Sequence, residues 1–215
     1  MDGNNRWSKK NNKNSYEAYS SGAKRLLSLS SHIFSNYDIN FISAFALSKK
    51  NLKRSSVIVK TLKRVLGYFL DQQNNLYDRN FQIHFKGDFS FLDKKYINKI
   101  ISLENNNPNT KKKLVIYINY SGKGDIIKSV NSHIALNFNK KISDHIINKN
   151  LYSKGIPDPD ILIRTGGYQR ISDFMLYQIS FTELMFTKKL WPDLLNTDVD
   201  RLINNYYKIE RKFGL

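Results

Sequence analysis

Cysteine is absent from this 215-residue chain, which excludes disulfides and thiolate-bound metal and fits a reducing compartment. No apolar run approaches the roughly 18 residues that a membrane-spanning helix needs. The N-terminus is polar and lacks the apolar stretch of a signal peptide. Proline is scarce, at four residues, and no segment is rich enough in Gly, Pro or Ser to act as a linker. Neither Gly-x-Gly-x-x-Gly nor Gly-x-x-x-x-Gly-Lys-Ser/Thr occurs, nor a Gly-x-Ser-x-Gly elbow, so dinucleotide, P-loop and α/β-hydrolase readings lapse. The histidines, His32, His84, His133 and His145, lack metal-ligand spacing and read as surface or packing residues. Acid is also short: 18 Asp and Glu face 35 Lys and Arg, a formal charge of +17.

That surplus favours anionic partners, whether nucleic acid, acidic lipid head groups or phosphorylated small molecules. The lysines are scattered rather than striped, in a chain rich in Asn, Lys, Ile and Tyr, so a solvated surface outweighs a nucleic-acid face. The remaining composition, 40% hydrophobic and 25% charged, is that of a globular protein. The length suits one domain, residues 1–215. The expectation is a soluble cytoplasmic protein.

Residues 1–14 are dense in turn formers and read as turn and loop. Helical spacing appears over residues 18–34 (Ala23, Leu26, Leu27, Ser30, Ile33, Phe34). It is clearest in Ile58, Leu62, Val65, Leu66, Phe69 and Leu70, one broad apolar face. Further helices are predicted over 91–103, from Ile126 to Ala135 with Ile126, Ile127, Val130, Ile134 and Ala135 inward, and over 142–150, 174–179 and 199–213. Strands are predicted over 39–47, through Phe81, Ile83 and Phe85, and over 114–118, 161–163 and 183–186. Strands alternating with helices imply an α/β fold with a largely parallel sheet. Ligands in such sheets sit beyond the carboxyl ends of the strands, which gathers the loops 48–54, 119–125 and 164–172.

The loop after residues 161–163 carries the richest chemistry. Arg164 and Arg170 are planar, permanent cations suited to phosphate, Gly166 and Gly167 permit close approach of a ligand, and Ser172 precedes an apolar run where a helix can start. It reads as an anion site or as a solvated surface hairpin. Asp2, beside Gly3 and Asn4, holds a hard divalent cation or caps a turn. Glu183 lies in the apolar run Ile-Ser-Phe-Thr-Glu-Leu-Met-Phe, where a carboxylate needs a salt bridge or a metal.

Pro159-Asp160-Ile161-Leu162-Ile163-Arg164-Thr165-Gly166-Gly167-x-x-Arg170-Ile171-Ser172-x-Phe174, then Glu183-Leu184-x-Phe186 and Leu190-Trp191-Pro192-Asp193, strongly resembles the cis-prenyltransferases, the undecaprenyl diphosphate synthases. Met1-Asp2-Gly3-Asn4-x-Arg6-Trp7 resembles the first motif of that family, and Ser48, Asn51 and Arg54 its Ser-x-x-Asn-x-x-Arg loop. Asn119-Tyr120-x-Gly122 resembles the central motif and Arg211-Lys212-Phe213-Gly214 the C-terminal one. The resemblance implies a single α/β domain, a central mostly parallel sheet flanked by helices, with an apolar product tunnel. It implies Mg²⁺-dependent condensation of isopentenyl diphosphate onto an allylic diphosphate, farnesyl diphosphate. The product is a long-chain polyprenyl diphosphate such as undecaprenyl diphosphate, the lipid carrier precursor for cell-wall glycans.

By the same resemblance Asp2, Ser48 and Asn51 are catalytic, and Asp2 and Glu183 coordinate or position Mg²⁺, with Glu183 supplied across a homodimer. Gly3, Asn4, Arg6, Trp7 and Arg54 hold the allylic diphosphate, and Arg164, Arg170 and Ser172 hold isopentenyl diphosphate. The helix from Ile58 to Leu70 forms a tunnel wall, ordinary core, or both. Peripheral contact with the inner face of a membrane, and no nucleic acid, complete the expectation.

The sequence also departs from the family. The family usually has a further strand ahead of the first motif, and the expectation is either that the start at Met1 is misassigned or that this strand is missing. Asn5 replaces a glycine, Ser15 and Tyr19 stand for an Arg and a His, Lys50 for an acid, Leu52 for a Trp, and Tyr168 for a Glu. The His replacement leaves the base unassigned. Two alternatives remain beside the enzyme: a catalytically weak accessory subunit of the same family, and a basic nucleic-acid-binding α/β domain.

Overall fold

The computed structural model describes residues 1–52, 56–71, 80–105, 109–136 and 141–210. Helices α1 (Asn4–Lys10) and α2 (Ser15–Asn36) lead into β1 (Phe41–Phe45), the short α3 (Lys49–Leu52) and α4 (Ser56–Asp71). Strand β2 (Gln82–Gly87), helix α5 (Lys94–Glu104), strand β3 (Lys113–Ile118), helix α6 (Gly122–Leu136) and helix α7 (Asp144–Asn150) follow. The chain closes with β4 (Ile161–Arg164), β5 (Glu183–Phe186), a 3₁₀ turn at Trp191–Asp193 and α8 (Asn196–Tyr206).

All strands pair in parallel, in the order β1-β3-β2 and, separately, β4-β5. Strand β3 is central and shows why. Its residues alternate across the sheet: Leu114, Ile116 and Ile118 enter one core with Leu26, Phe34 and Ile203, while Val115 and Tyr117 enter a second with Tyr120 and Met175. A strand covered on both faces reads as a continuous apolar run, and this one does. Both β1 and β4 line the same groove, and no described strand lies between them.

Helix α2 starts at a capping box. The Asn14 side chain accepts from the Glu17 N–H (2.9 Å) and the Glu17 carboxylate accepts from the Asn14 N–H (3.0 Å), which satisfies two end donors at once. Its carbonyl at Gly22 accepts from the Trp191 indole N–H at 2.8 Å, tying the front of the chain to its last turn.

Several expectations need correction. Residues 4–10 are helical, because Gly3 takes the left-handed φ of 108° that starts α1. Residues 174–179 form turns instead of a helix. Ser172, Asp173 and Met175 all have positive φ, between 48° and 69°, incompatible with a helix start at Ser172. Helix α8 begins at Asn196 and ends at Tyr206, whereas the expected helix ran to 213, beyond the described residues.

Helix α6 is turned about its axis relative to expectation. It buries Gly122, Asp125, Ser129 and His133 and leaves Ile127 59% and Leu136 82% exposed. The cause is α7. The Ser129 hydroxyl donates to the Ile147 carbonyl (2.9 Å), and Asp125 Oδ1 accepts from the Tyr152 N–H (3.0 Å), so polar pairing outranks the apolar stripe. Burial pushes the Asp125 carboxyl above its usual range, against that N–H bond.

His84 on β2 supplies a pH test of the fold. Burial, then Lys86 and Lys113, lower its imidazole from 6.5 to about 4. The unfolded chain therefore binds the extra proton first, so the stability of neutral His84 is present above pH 6.5 and lost as pH falls toward 4. Urea midpoints of wild type and His84→Gln should diverge at pH 7 and converge by pH 4.5; parallel curves contradict this assignment.

Candidate active site

The site is assembled where the N-terminus meets the carboxyl end of β4. Thr165, buried at the start of the turn, accepts the Asp2 N–H (2.9 Å) and donates its own proton to the Asp2 carbonyl (2.9 Å). The Trp191 N–H also donates to that carbonyl, at 3.0 Å. The turn is held from behind, as Gly166 N–H donates to Lys189 and Gly167 N–H to Thr187. At Gly166, with φ 86°, a Cβ would lie 2.5 Å from the Arg6 guanidinium, so only glycine lets the arginine rest there. Gly3 is constrained likewise, since a Cβ would meet Leu190 at 2.8 Å.

Asp2 lies between two arginines. One carboxylate oxygen accepts from Arg164 at 2.8 Å and the other is 3.6 Å from Arg6. Arg164 is the pivot, its side chain only 11% exposed. It also donates to the Ser172 hydroxyl (2.6 Å) and the Arg170 carbonyl, and its Nε is buried with no partner. The guanidinium of Arg170 lies over the Tyr168 ring at 4.1 Å, with Arg6 at 4.9 Å and Arg164 at 5.8 Å from the same ring. Positive φ at Ser172 and Asp173 bends the chain so that Asp173 accepts from the Ser121 hydroxyl (2.6 Å) and the Lys123 N–H (2.9 Å). That carboxylate caps the first turn of α6 and ties the β3 loop to the arginine turn.

Ser48 and Asn51 come from the end of β1. Ser48 bridges to Tyr120 of the β3 loop, and its hydroxyl accepts from the Asn51 N–H at 3.2 Å. Asp2, Gly3, Asn4, Arg6, Ser48, Asn51, Arg164, Arg170 and Ser172 all line one groove of about 1540 Å³, with Lys50 and Lys123. The loops expected to gather at one sheet edge do so over their described residues. The groove adjoins an apolar cavity of about 110 Å³, and Met1, Asn4, Tyr19, Ala46 and Trp191 line both. Leu62, Val65, Leu66 and Phe69 of α4 form a wall of that cavity.

Two expected residues, Trp7 and Glu183, do not join this group, and a third cannot be placed. Arg54 lies outside the described residues, as does the Arg211 to Gly214 motif. Trp7 is not in the groove wall: its indole N–H donates to Asp193 at 2.6 Å, which fixes α1 against the 3₁₀ turn. Glu183 pairs with Ile161 at the amino end of β5, whereas Arg164 pairs with Phe186 at the carboxyl end. Three residues along a strand is about 10 Å, so Asp2 and Glu183 do not converge within one chain. No cluster of three or more acidic, His or Cys residues fit for a metal occurs among the described residues. Asp2 alone fits magnesium in the mode where one carboxylate is completed by phosphate oxygens and water. Thr165 and Asp173 are the participants that sequence reasoning missed, with only the short Arg-Thr-Gly-Gly signal bearing on Thr165; Tyr168 was marked as standing where the family has a Glu, and its contacts with the arginines were not.

The comparisons agree with this architecture. A prenyltransferase family model described as undecaprenyl diphosphate synthase matches residues 1–214. The isoprenyl transferase of Rickettsia typhi is 36% identical over 218 residues, covering 100% of this chain and 95% of that protein. The tritrans,polycis-undecaprenyl-diphosphate synthase (geranylgeranyl-diphosphate specific) of Pyrobaculum aerophilum is 31% identical over 99% of this chain and 92% of its own. Among solved structures, lavandulyl diphosphate synthase from Lavandula x intermedia, in complex with dimethylallyl diphosphate, superposes with a TM-score of 0.89 at 27% identity, covering 100% and 95% of the two chains. A groove of arginines at the strand ends, five motifs in family order and matches across the whole length lead to one assignment: the chain belongs to the prenyltransferase family of undecaprenyl diphosphate synthases, the isoprenyl transferases.

Proposed function

We propose that residues 1–215 act as one domain that condenses isopentenyl diphosphate onto an allylic diphosphate, farnesyl diphosphate, with cis geometry. The observation that carries this reading is the pairing of Arg6 and Arg164 with Asp2, with Arg170 beside them over the Tyr168 ring, open to a groove that adjoins an apolar cavity. Arg6, with Gly3, Asn4 and Arg54, holds the allylic diphosphate. Arg164, Arg170 and Ser172 hold isopentenyl diphosphate, and Ser48 and Asn51 border the reacting carbons. Fixed guanidinium groups stabilise the charge that grows on departing diphosphate, and separate clamps align the carbons. Asp2 is the residue that holds Mg²⁺, with Glu183 of a second copy beside it. When bound, the ion neutralises the leaving diphosphate. A diphosphate at the clamp competes with Asp2 for the Arg164 guanidinium, which couples anion binding to release of the carboxylate.

The apolar cavity supports a growing chain, and its size sets a condition. A cavity of about 150 Å³ takes benzene, so about 110 Å³ suits the first prenyl carbons only. Elongation to a long-chain polyprenyl diphosphate such as undecaprenyl diphosphate, a carrier precursor for cell-wall glycans, requires α4 to move outward from β2 and β3.

A homodimer is part of the reading. Phe181 is 63% and Leu184 43% exposed on either side of Glu183, an apolar edge of the kind a second copy covers. No helix among the described residues is long and apolar enough to cross a membrane. We place the enzyme in the cytoplasm, with the +17 charge supporting peripheral contact with an anionic inner face where the lipid product leaves.

Incubation with farnesyl diphosphate, labelled isopentenyl diphosphate and Mg²⁺ should yield elongated polyprenyl diphosphates. No elongation, with diphosphate binding retained, would make the chain an accessory subunit. Asp2→Ala should lower kcat/KM by about 10²–10³-fold, the scale seen when an electrostatic stabiliser is lost; near wild-type turnover would refute the metal assignment. Leu62→Trp should shorten the products while the first condensation persists, and an unchanged length distribution would contradict the tunnel. Light scattering should give a dimer for wild type and a monomer for Leu184→Lys.

A further inference from the structure

Tyr168 is the one side chain in the turn that touches guanidinium groups from both ends of the chain. Arg170 stands over its ring at 4.1 Å, Arg6 at 4.9 Å and Arg164 at 5.8 Å. Like charges this close repel, and Asp2 reaches only Arg164 and Arg6. Arg170 is exposed, and its guanidinium contact in the structure is the ring. The position is also one where the family resemblance calls for a carboxylate, so the chain has exchanged an anion for an aromatic face.

The two chemistries differ in what they leave available. A carboxylate engages the N–H edge of a guanidinium, the same edge that a diphosphate needs. A ring attracts the cation through its electron-rich face and leaves the in-plane donors to the ligand. We propose that Tyr168 is a positioning residue that gathers Arg6 of the first motif and Arg170 of the turn on one ring, so that the two clamps are preformed and coupled. The inference rests on the diphosphate-binding reading of the groove. It adds a specific consequence: both substrates depend on one residue that contacts neither reacting carbon.

The test separates the ring from the fold and from the reaction. Tyr168 is 43% exposed, so Tyr168→Leu and Tyr168→Phe should melt with wild type. Calorimetric titration with inorganic pyrophosphate reads the clamp without turnover. Tyr168→Leu should bind it about 5–20-fold more weakly, the scale of two or three ring–cation contacts. It should raise KM for both diphosphates and leave kcat close to wild type, whereas Tyr168→Phe, which keeps the ring, should restore wild-type values. Equal affinity in Tyr168→Leu and wild type overturns the proposal. So does tighter binding, which would make the ring an obstruction, and so does a Phe variant as weak as the Leu one. Wild type that binds no pyrophosphate overturns the groove reading itself; wild type that binds but does not elongate leaves the Tyr168 comparison decisive on binding alone.

Discussion

The contact on which the rest depends is the ion pair between Asp2 and Arg164, 162 residues apart in sequence and 2.8 Å apart in space. Arg164 is largely withdrawn from water, and a guanidinium so placed costs several kcal/mol unless paired. Thr165 and the Trp191 N–H stitch the backbone of Asp2 beside it. The N-terminal segment is therefore bound to the β4 turn by charge and backbone together. Gly3 then starts α1 within contact of Leu190, and Trp7 closes on Asp193. A site made from two ends of the chain exists only because this joint forms.

The joint also organises charge. Arg6 and Arg164 share Asp2, Arg170 leans on Tyr168, and all three arginines line the groove. The +17 surplus is thus only partly a solvated surface, because Arg6, Arg164 and Arg170 are gathered along one groove. Asp173 extends the same logic, since one carboxylate caps α6 and holds the β3 loop against the turn.

The sequence revealed what periodicity and motif spacing control. Strand β3 was legible as a continuous apolar run, α4 as an amphipathic face, and the Arg-Thr-Gly-Gly segment as an arginine-bearing turn at a strand end. It concealed what depends on tertiary partners. The polar stripe of α6 faces inward because α7 offers the Ile147 carbonyl to Ser129 and the turn after it offers the Tyr152 N–H to Asp125, a pairing that no hydrophobic pattern encodes. Helix α1 was hidden among turn-forming residues, since its start depends on the left-handed Gly3. A helix was expected over 174–179 because an apolar run follows Ser172, yet positive φ at Ser172, Asp173 and Met175 bends the chain into turns. Trp7 was read as a ligand contact from its motif, and its partner, Asp193, lies 186 residues away.

The central claim is that one chain holds two diphosphates at once, side by side on arginines from both ends of the sequence. Equilibrium titration with an unreactive farnesyl thiodiphosphate, followed by isopentenyl diphosphate in the presence of Mg²⁺, measures this directly. The account predicts that the second ligand binds the saturated protein without displacing the first, one of each per chain. Mutual displacement, with a single diphosphate bound per chain, would contradict it.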